Sequence, residues 1–457
     1  MIYLHVPFCR SFCTYCGFYS ESVPCRKGGG EPIFDVFAER LCREIDERVA
    51  DFVAANGLPV NTLYIGGGTP SVLPANTLRR IVNHLRTVLS GPAVDHVVTE
   101  NKGKCSAAVN SRPVSINPVG HSADHVVTEN ALPDGHAASL VVSENASPDG
   151  HAASLVVSEN EGKCSSEGGC MTFEEFTVEV NPEDVVEKGV GYVRALGEMG
   201  VNRISMGVQS FDDGILRWMN RRHDAARARE AMRILREAGV RNVSIDLIFG
   251  LSQLTHAQWE ETLDEALALE PEHLSAYQLS IEEDSALAAQ VAKGQYTEAS
   301  EEACRRQYDR LCERLAQAGF HHYEVSNFAR PGFEAVHNSA YWRRIPYLGL
   351  GPGAHSAYAG DPEERGMVTV RSWNSCESVD WKEAGRETLT LEQRQEETLM
   401  LGLRTARGLP ESWLRAYANG QALERLLAAG ALEKGPEGTL RIAENHFFVS
   451  DEIIAEL

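Results

Sequence analysis

The chain has no apolar run long enough to cross a bilayer, so a membrane-spanning protein is not expected. Its first residues, MIYLHVPF, lack a charged start and a small-residue cleavage site, which argues against a secretory signal. A basic surplus is also missing. Against 65 Asp and Glu stand 43 Lys and Arg, giving a formal net charge of −22, and no run of basic residues interrupts the balance. Sequence-independent nucleic-acid binding depends on Lys and Arg neutralising phosphates, so no nucleic-acid partner is expected. The cysteine count is eleven, an odd number in a chain of 457 residues, which does not make a secreted disulfide framework. What remains is a globular chain of ordinary composition, expected in the cytoplasm, with room for two or three domains.

Three of those cysteines crowd together. Cys9, Cys13 and Cys16 form C-x3-C-x2-C directly after the apolar run Ile2–Val6. Three thiols cannot pair among themselves, and a zinc site would need a distant fourth ligand. Iron–sulfur clusters are held by Cys thiolates, usually four. With three, one iron is left for something other than protein.

Short β-branched runs alternate with amphipathic segments along the chain. The runs are Ile2–Val6, Thr62–Ile65, Phe176–Val180, Arg203–Val208, Val243–Phe249 and His273–Leu279. Between them lie helical patterns at Val36–Val53, Leu78–Leu89, Ala225–Ala238, Gln258–Leu269 and Cys304–Ala318. Six such alternations predict an α/β fold with a parallel sheet, either an open doubly wound sheet or all or part of a barrel. Functional residues then belong at the C-terminal ends of the strands. The cysteines, Gly66-Gly67-Gly68 and Asn181-Pro182 all fall there.

Residues 91–171 break the pattern. HVVTEN starts at His96 and again at His125, and PDGHAASLVVSEN starts at Pro133 and at Pro148. These units carry little to bury, so the segment is expected to be a low-complexity, flexible insertion without chemistry of its own.

The motifs C-x3-C-x2-C, GGGTPS, EVNP, GVQSF, SIDLIFG and YLGLGPGAHS follow one another in order. Together they resemble the radical S-adenosylmethionine (SAM) superfamily. More narrowly, they are similar to the branch containing oxygen-independent coproporphyrinogen III dehydrogenase and its haem-chaperone relative, HemW. The resemblance implies a radical SAM partial (β/α)6 TIM-type barrel. It implies that Cys9, Cys13 and Cys16 hold a [4Fe–4S] cluster, whose remaining iron chelates the amino and carboxylate groups of SAM. Tyr3, Tyr15, Gly66, Gly67, Gly68, Thr69, Glu179, Gln209, Arg221 and Asp246 match cofactor-binding positions. Asp246 stands out on physical grounds as well, because a carboxylate in an apolar strand is costly unless paired or facing a cavity. One motif departs from the family: its usual LPGQT reads Leu251-Ser252-Gln253-Leu254-Thr255 here.

Several features resemble the chaperone rather than the dehydrogenase. Gly17 and Phe18 follow Cys16 where the dehydrogenase carries a further cysteine, and only eight residues precede Cys9. His337-Asn338-Ser339-Ala340-Tyr341-Trp342 matches the H-N-x-x-Y-W stretch associated with haem. Imidazole is a common axial ligand and aromatics stack on macrocycles, so His337, Tyr341 and Trp342 are the expected haem contacts. His355, in GPGAHS, lies in a second Gly-rich turn. No C-x-x-C-H for thioether attachment occurs. Residues 388–457 resemble the family's winged-helix-like α+β domain, without the basic cluster of a DNA reader. The expected domains are 1–90 with 172–387, the insertion 91–171, and 388–457. The expected function is transfer of haem to an acceptor protein, with an electron donor for the cluster. The alternative is oxidative decarboxylation of coproporphyrinogen III.

Overall fold

The computed structural model describes residues 1–23, 32–91, 171–376 and 381–457. The repetitive insertion therefore lies, except at its two ends, outside the described residues.

Six strands form the centre: β1 (Ile2–Val6), β2 (Thr62–Gly67), β3 (Glu175–Val180), β4 (Arg203–Gln209), β5 (Val243–Phe249) and β6 (His273–Gln278). Each pairs in parallel with the next in chain order. Parallel neighbours need a crossover, and helices supply it. They are α1 (Pro32–Asn56), α2 (Ala75–Leu89), α3 (Pro182–Glu198), α4 (Ala225–Glu237) and α5 (His256–Ala268). In α1 the side chains of Phe34, Phe37, Leu41, Ile45, Val49 and Phe52 are buried, a helical stripe that covers the sheet.

After α6 (Glu301–Gln317), β7 (His321–Glu324) and β8 (Asn327–Ala329) form a hairpin, and β8 runs antiparallel to β6. The short helix α7 (Val336–Trp342) then leads to β9 (Leu348–Leu350), which pairs in parallel with β1 at the opposite edge. The edge strands β7 and β9 do not meet, so the nine-stranded sheet stays open. This is a partial barrel built on six parallel β/α units.

A second sheet consists of antiparallel β10 (His355–Tyr358), β11 (Val370–Asn374) and β12 (Glu383–Thr388). The C-terminal segment is α+β. Helices α8 (Leu391–Leu403), α9 (Glu411–Tyr417) and α10 (Gly420–Ala428) accompany a small sheet of Leu409–Pro410, Leu432–Lys434 and Thr439–Ile442. It packs with the barrel as one compact unit. Two of the helix starts are fixed in the same way. Thr255 with Gln258, and Thr390 with Gln393, form reciprocal capping boxes that fix the starts of α5 and α8.

Candidate functional site

Parallel strands present their C-terminal ends on one rim, and the expected residues gather there. Leaving β1, the chain turns through Cys9, Cys13 and Cys16, all half-buried and free of disulfides. Burial pushes the Cys9 thiol up and the Cys16 thiol up to about 11, with the neighbouring thiols adding repulsion. The three sulfurs are thus close enough to oppose one another's ionisation. Among the described residues, no three His, Cys, Asp or Glu side chains close around a single metal ion. Thiolates bound to three different irons of a cluster do not need to be so close, so the donor set fits [4Fe–4S].

Arg221 is the cation facing this loop. One guanidinium nitrogen donates to Cys13 Sγ at 3.3 Å, and another donates to Asn181 Oδ1 and to the Gly207 carbonyl, each at 2.6 Å. Burial works against its charge, but Cys13, Tyr15 and Glu183 outweigh that and raise its pKa. Asn181 in turn donates to Thr69 Oγ1 at 3.2 Å, and Thr69 lies 3.5 Å from Cys9 Sγ. The cysteine loop, the Gly-rich turn and the ends of β3 and β4 therefore share one hydrogen-bonded chain. Tyr15 lies against this group, its hydroxyl pKa raised mainly by burial.

The glycine triplet has an unexpected reason. A Cβ on Gly66 would meet the Tyr64 ring and Glu179, one on Gly67 the His5 imidazole, and one on Gly68 the Phe8 carbonyl and Cys9 Sγ. These glycines let neighbouring strands and the cysteine loop close up, and Gly67 also has φ +110°. Glu179 accepts from Tyr64 at 2.7 Å and from the Gly67 N–H at 3.2 Å. Burial pushes its carboxyl up to about 7. An acceptor of that kind, beside the Gly-rich edge, suits an ammonium group.

Further round, Gln209 sits at a bulge between β4 and β5 with φ +70°. Asp246 accepts from Ser205 at 3.1 Å and from Ser244 at 3.2 Å, and burial raises its pKa. Tyr3 bonds with His5 Nδ1 at 3.1 Å. Tyr277 is 46% exposed, yet burial raises its hydroxyl pKa.

Some supports escaped the sequence reading. Lys188 donates to the carbonyls of Ser71, Val72 and Leu73 at 2.5, 3.1 and 2.7 Å. Burial lowers its pKa to about 8. Ser71 donates to the fully buried Asp184 at 2.9 Å. These contacts hold the segment after GGGT, and nothing in the local sequence pattern announced them.

The haem expectation for His337 meets a different geometry. His337 is 1% exposed. Its Nδ1 bonds with the Thr62 hydroxyl at 2.7 Å and its Nε2 with Tyr341 at 3.0 Å. Burial lowers its pKa to about 3. No ring nitrogen is left for iron, so here His337 and Tyr341 brace α7 against β2. Trp342 lines a separate cavity of about 450 Å³ with Phe249, Tyr308 and Phe447.

A partial parallel barrel with three converging thiols on its C-terminal rim defines the class: a radical SAM protein. Residues 171–266 match the family model described as the radical SAM superfamily. The "Heme chaperone HemW" of Bacillus subtilis is 25% identical over 98% of this chain and 95% of its own length. "Radical S-adenosyl methionine domain-containing protein 1, mitochondrial" of Mus musculus is 34% identical, over 62% of this chain and 67% of its own. The solved structure of coproporphyrinogen III oxidase (HemN) from Escherichia coli superposes with a TM-score of 0.65 at 18% identity. It covers 99% of this chain and 88% of that one; at that identity the likeness concerns the fold. The chain belongs to the radical SAM superfamily, and the HemW proteins are among the relatives it resembles over most of its length.

Proposed function

We propose that this chain is a haem chaperone that binds a [4Fe–4S] cluster and SAM and passes haem to an acceptor protein in the cytoplasm. The observation that carries the reading is the rim itself, in a chain whose curated relatives are named as haem chaperones. Cys9, Cys13 and Cys16 would hold the cluster, which when reduced by an electron donor supplies the means of cleaving SAM. Arg221 offsets the negative charge that three thiolates bring to a half-buried loop. Glu179 would accept from the SAM ammonium, and the exposed edge of the Gly-rich turn would lie beside it. Asp246 and Gln209 would face the nucleoside from the lumen wall. Among the described residues no helix is long and apolar enough to cross a membrane.

The test is anaerobic reconstitution with iron and sulfide, followed by titration with hemin and incubation with a haem-free acceptor. Iron–sulfur absorbance, a haem band that grows to saturation, and movement of that band to the acceptor are expected. Protein that binds no haem but consumes coproporphyrinogen III with SAM would instead be the dehydrogenase.

A further inference from the structure

Haem iron needs a nitrogen with a free lone pair on a support that does not have to unfold to offer it. Several buried histidines among the described residues fail that requirement. His337 has both ring nitrogens engaged, as do His5, which bonds with Tyr3 and the Tyr19 carbonyl, and His273, which bonds with Ser244 and Tyr323. His355 is different. It is exposed at the start of β10, and neither ring nitrogen has a hydrogen-bond or ion-pair partner among the described residues.

Its surroundings look built. Directly across the strand pair is Trp373, and the two rings stack at 6.1 Å between centroids and 25° between planes. The indole is itself 37% exposed. It lies over the bare backbone of Gly385 on β12, where an added Cβ would come within 2.1 Å of the ring. Glycine, imidazole and indole thus form one row across three strands, and the glycine is needed to let the indole lie flat.

The frame behind the row is fixed. Arg48 of α1 donates to Ser356 Oγ at 3.3 Å and to Asn374 Oδ1 at 3.0 Å, the residues that follow His355 and Trp373. Glu44, one turn earlier, accepts from Asn374 at 2.7 Å and from the Gly351 N–H at 2.8 Å. A half-buried charged clamp therefore holds both strands at the residues adjoining the exposed pair. Gly351 packs on the His5 carbonyl, and Gly353 lies near Tyr19, just beyond the cluster cysteines. The glycine turn that leads into the row thus packs on residues either side of the cysteine loop.

Resting on the haem reading above, we propose that His355 supplies the axial ligand to the transferred haem, with Trp373 as the aromatic wall that orients its ring. One imidazole nitrogen donates its lone pair to the iron and displaces the water or halide that hemin brings. Oxidation state is unchanged and no proton moves. An exposed, laterally supported ligand also suits a cargo that must leave, since an acceptor can reach the iron without opening the barrel.

The experiment titrates the full, cluster-loaded chain with hemin under anaerobic conditions, following the Soret band and the ferric spin state. Wild type, His355→Ala, His337→Ala and His321→Ala are compared; His321 is exposed too, but without a stacked ring. His355→Ala is expected to lose the histidine-ligated signature and to weaken binding at least tenfold, with added imidazole restoring the signature. His321→Ala should behave as wild type. A His355→Ala protein with wild-type spectrum and affinity overturns the ligand assignment while leaving the haem reading standing. Wild-type protein that binds no hemin overturns both. If the Ala variant misfolds, His355→Gln keeps the shape without a strong iron ligand and should show the same loss.

Discussion

Arg221 and Cys13 are 208 residues apart in the chain and 3.3 Å apart in the fold. The same guanidinium is the donor for Asn181 and for the Gly207 carbonyl. Arg221→Met would take this donor from both part-buried acceptors, at up to about 1–3 kcal/mol each. Urea unfolding of the cluster-free protein should show a loss of that order, with Arg221→Lys falling between. A Met variant as stable as wild type would show that the chain of bonds is not formed.

Replacing Cys9, Cys13 and Cys16 together by Ala should abolish iron–sulfur absorbance after reconstitution. Cys304→Ala and Cys312→Ala should not. Both lie on α6 rather than on the cysteine loop, and burial raises both thiols, Cys312 to about 12. Cluster loss in either α6 variant would contradict the ligand assignment.

Glu179 gives a pH dependence with a definite sign. Its folded pKa of about 7 stands above its ordinary 4.5 because burial disfavours the charged form. The stabilisation it contributes is therefore complete below pH 4.5 and is lost as pH rises through about 7. Relative to Glu179→Gln, wild type should lose up to about 1.4 kcal/mol per pH unit across that window. Denaturant unfolding at several pH values measures the difference; parallel curves for the two proteins would contradict the raised pKa.

His337 should matter for stability rather than for iron. His337→Ala removes a filled site and strands the Thr62 and Tyr341 hydroxyls, for a loss of about 2–4 kcal/mol. Its folded pKa of about 3 lies below the ordinary 6.5, so its contribution is present above pH 6.5 and declines as pH falls below it. The variant should unfold at lower urea concentration yet keep the wild-type haem ligation spectrum. A changed ligation state would return His337 to the iron.

The parallel sheet was legible from the chain alone. Strands read as Ile2–Val6 and Val243–Phe249 have those bounds in the fold, because a strand covered on both faces is a continuous apolar run with little freedom of register. The cysteines were legible for a similar reason: their spacing lies within one local loop. Gly66, Gly67 and Gly68 were located but not explained, since the atoms they avoid belong to His5, Phe8, Tyr64 and Glu179, on other strands or turns. The two histidines turn on the same distinction. In sequence, His337 beside Tyr341 and Trp342 looks the better ligand and His355 a residue in a turn. Whether an imidazole nitrogen is free depends on what packs against it. Thr62 closes one nitrogen of His337, while Trp373 and Gly385 leave those of His355 open. Local pattern determines which elements form and where polar ends emerge. Partners brought from distant segments decide which of those ends remain available for chemistry.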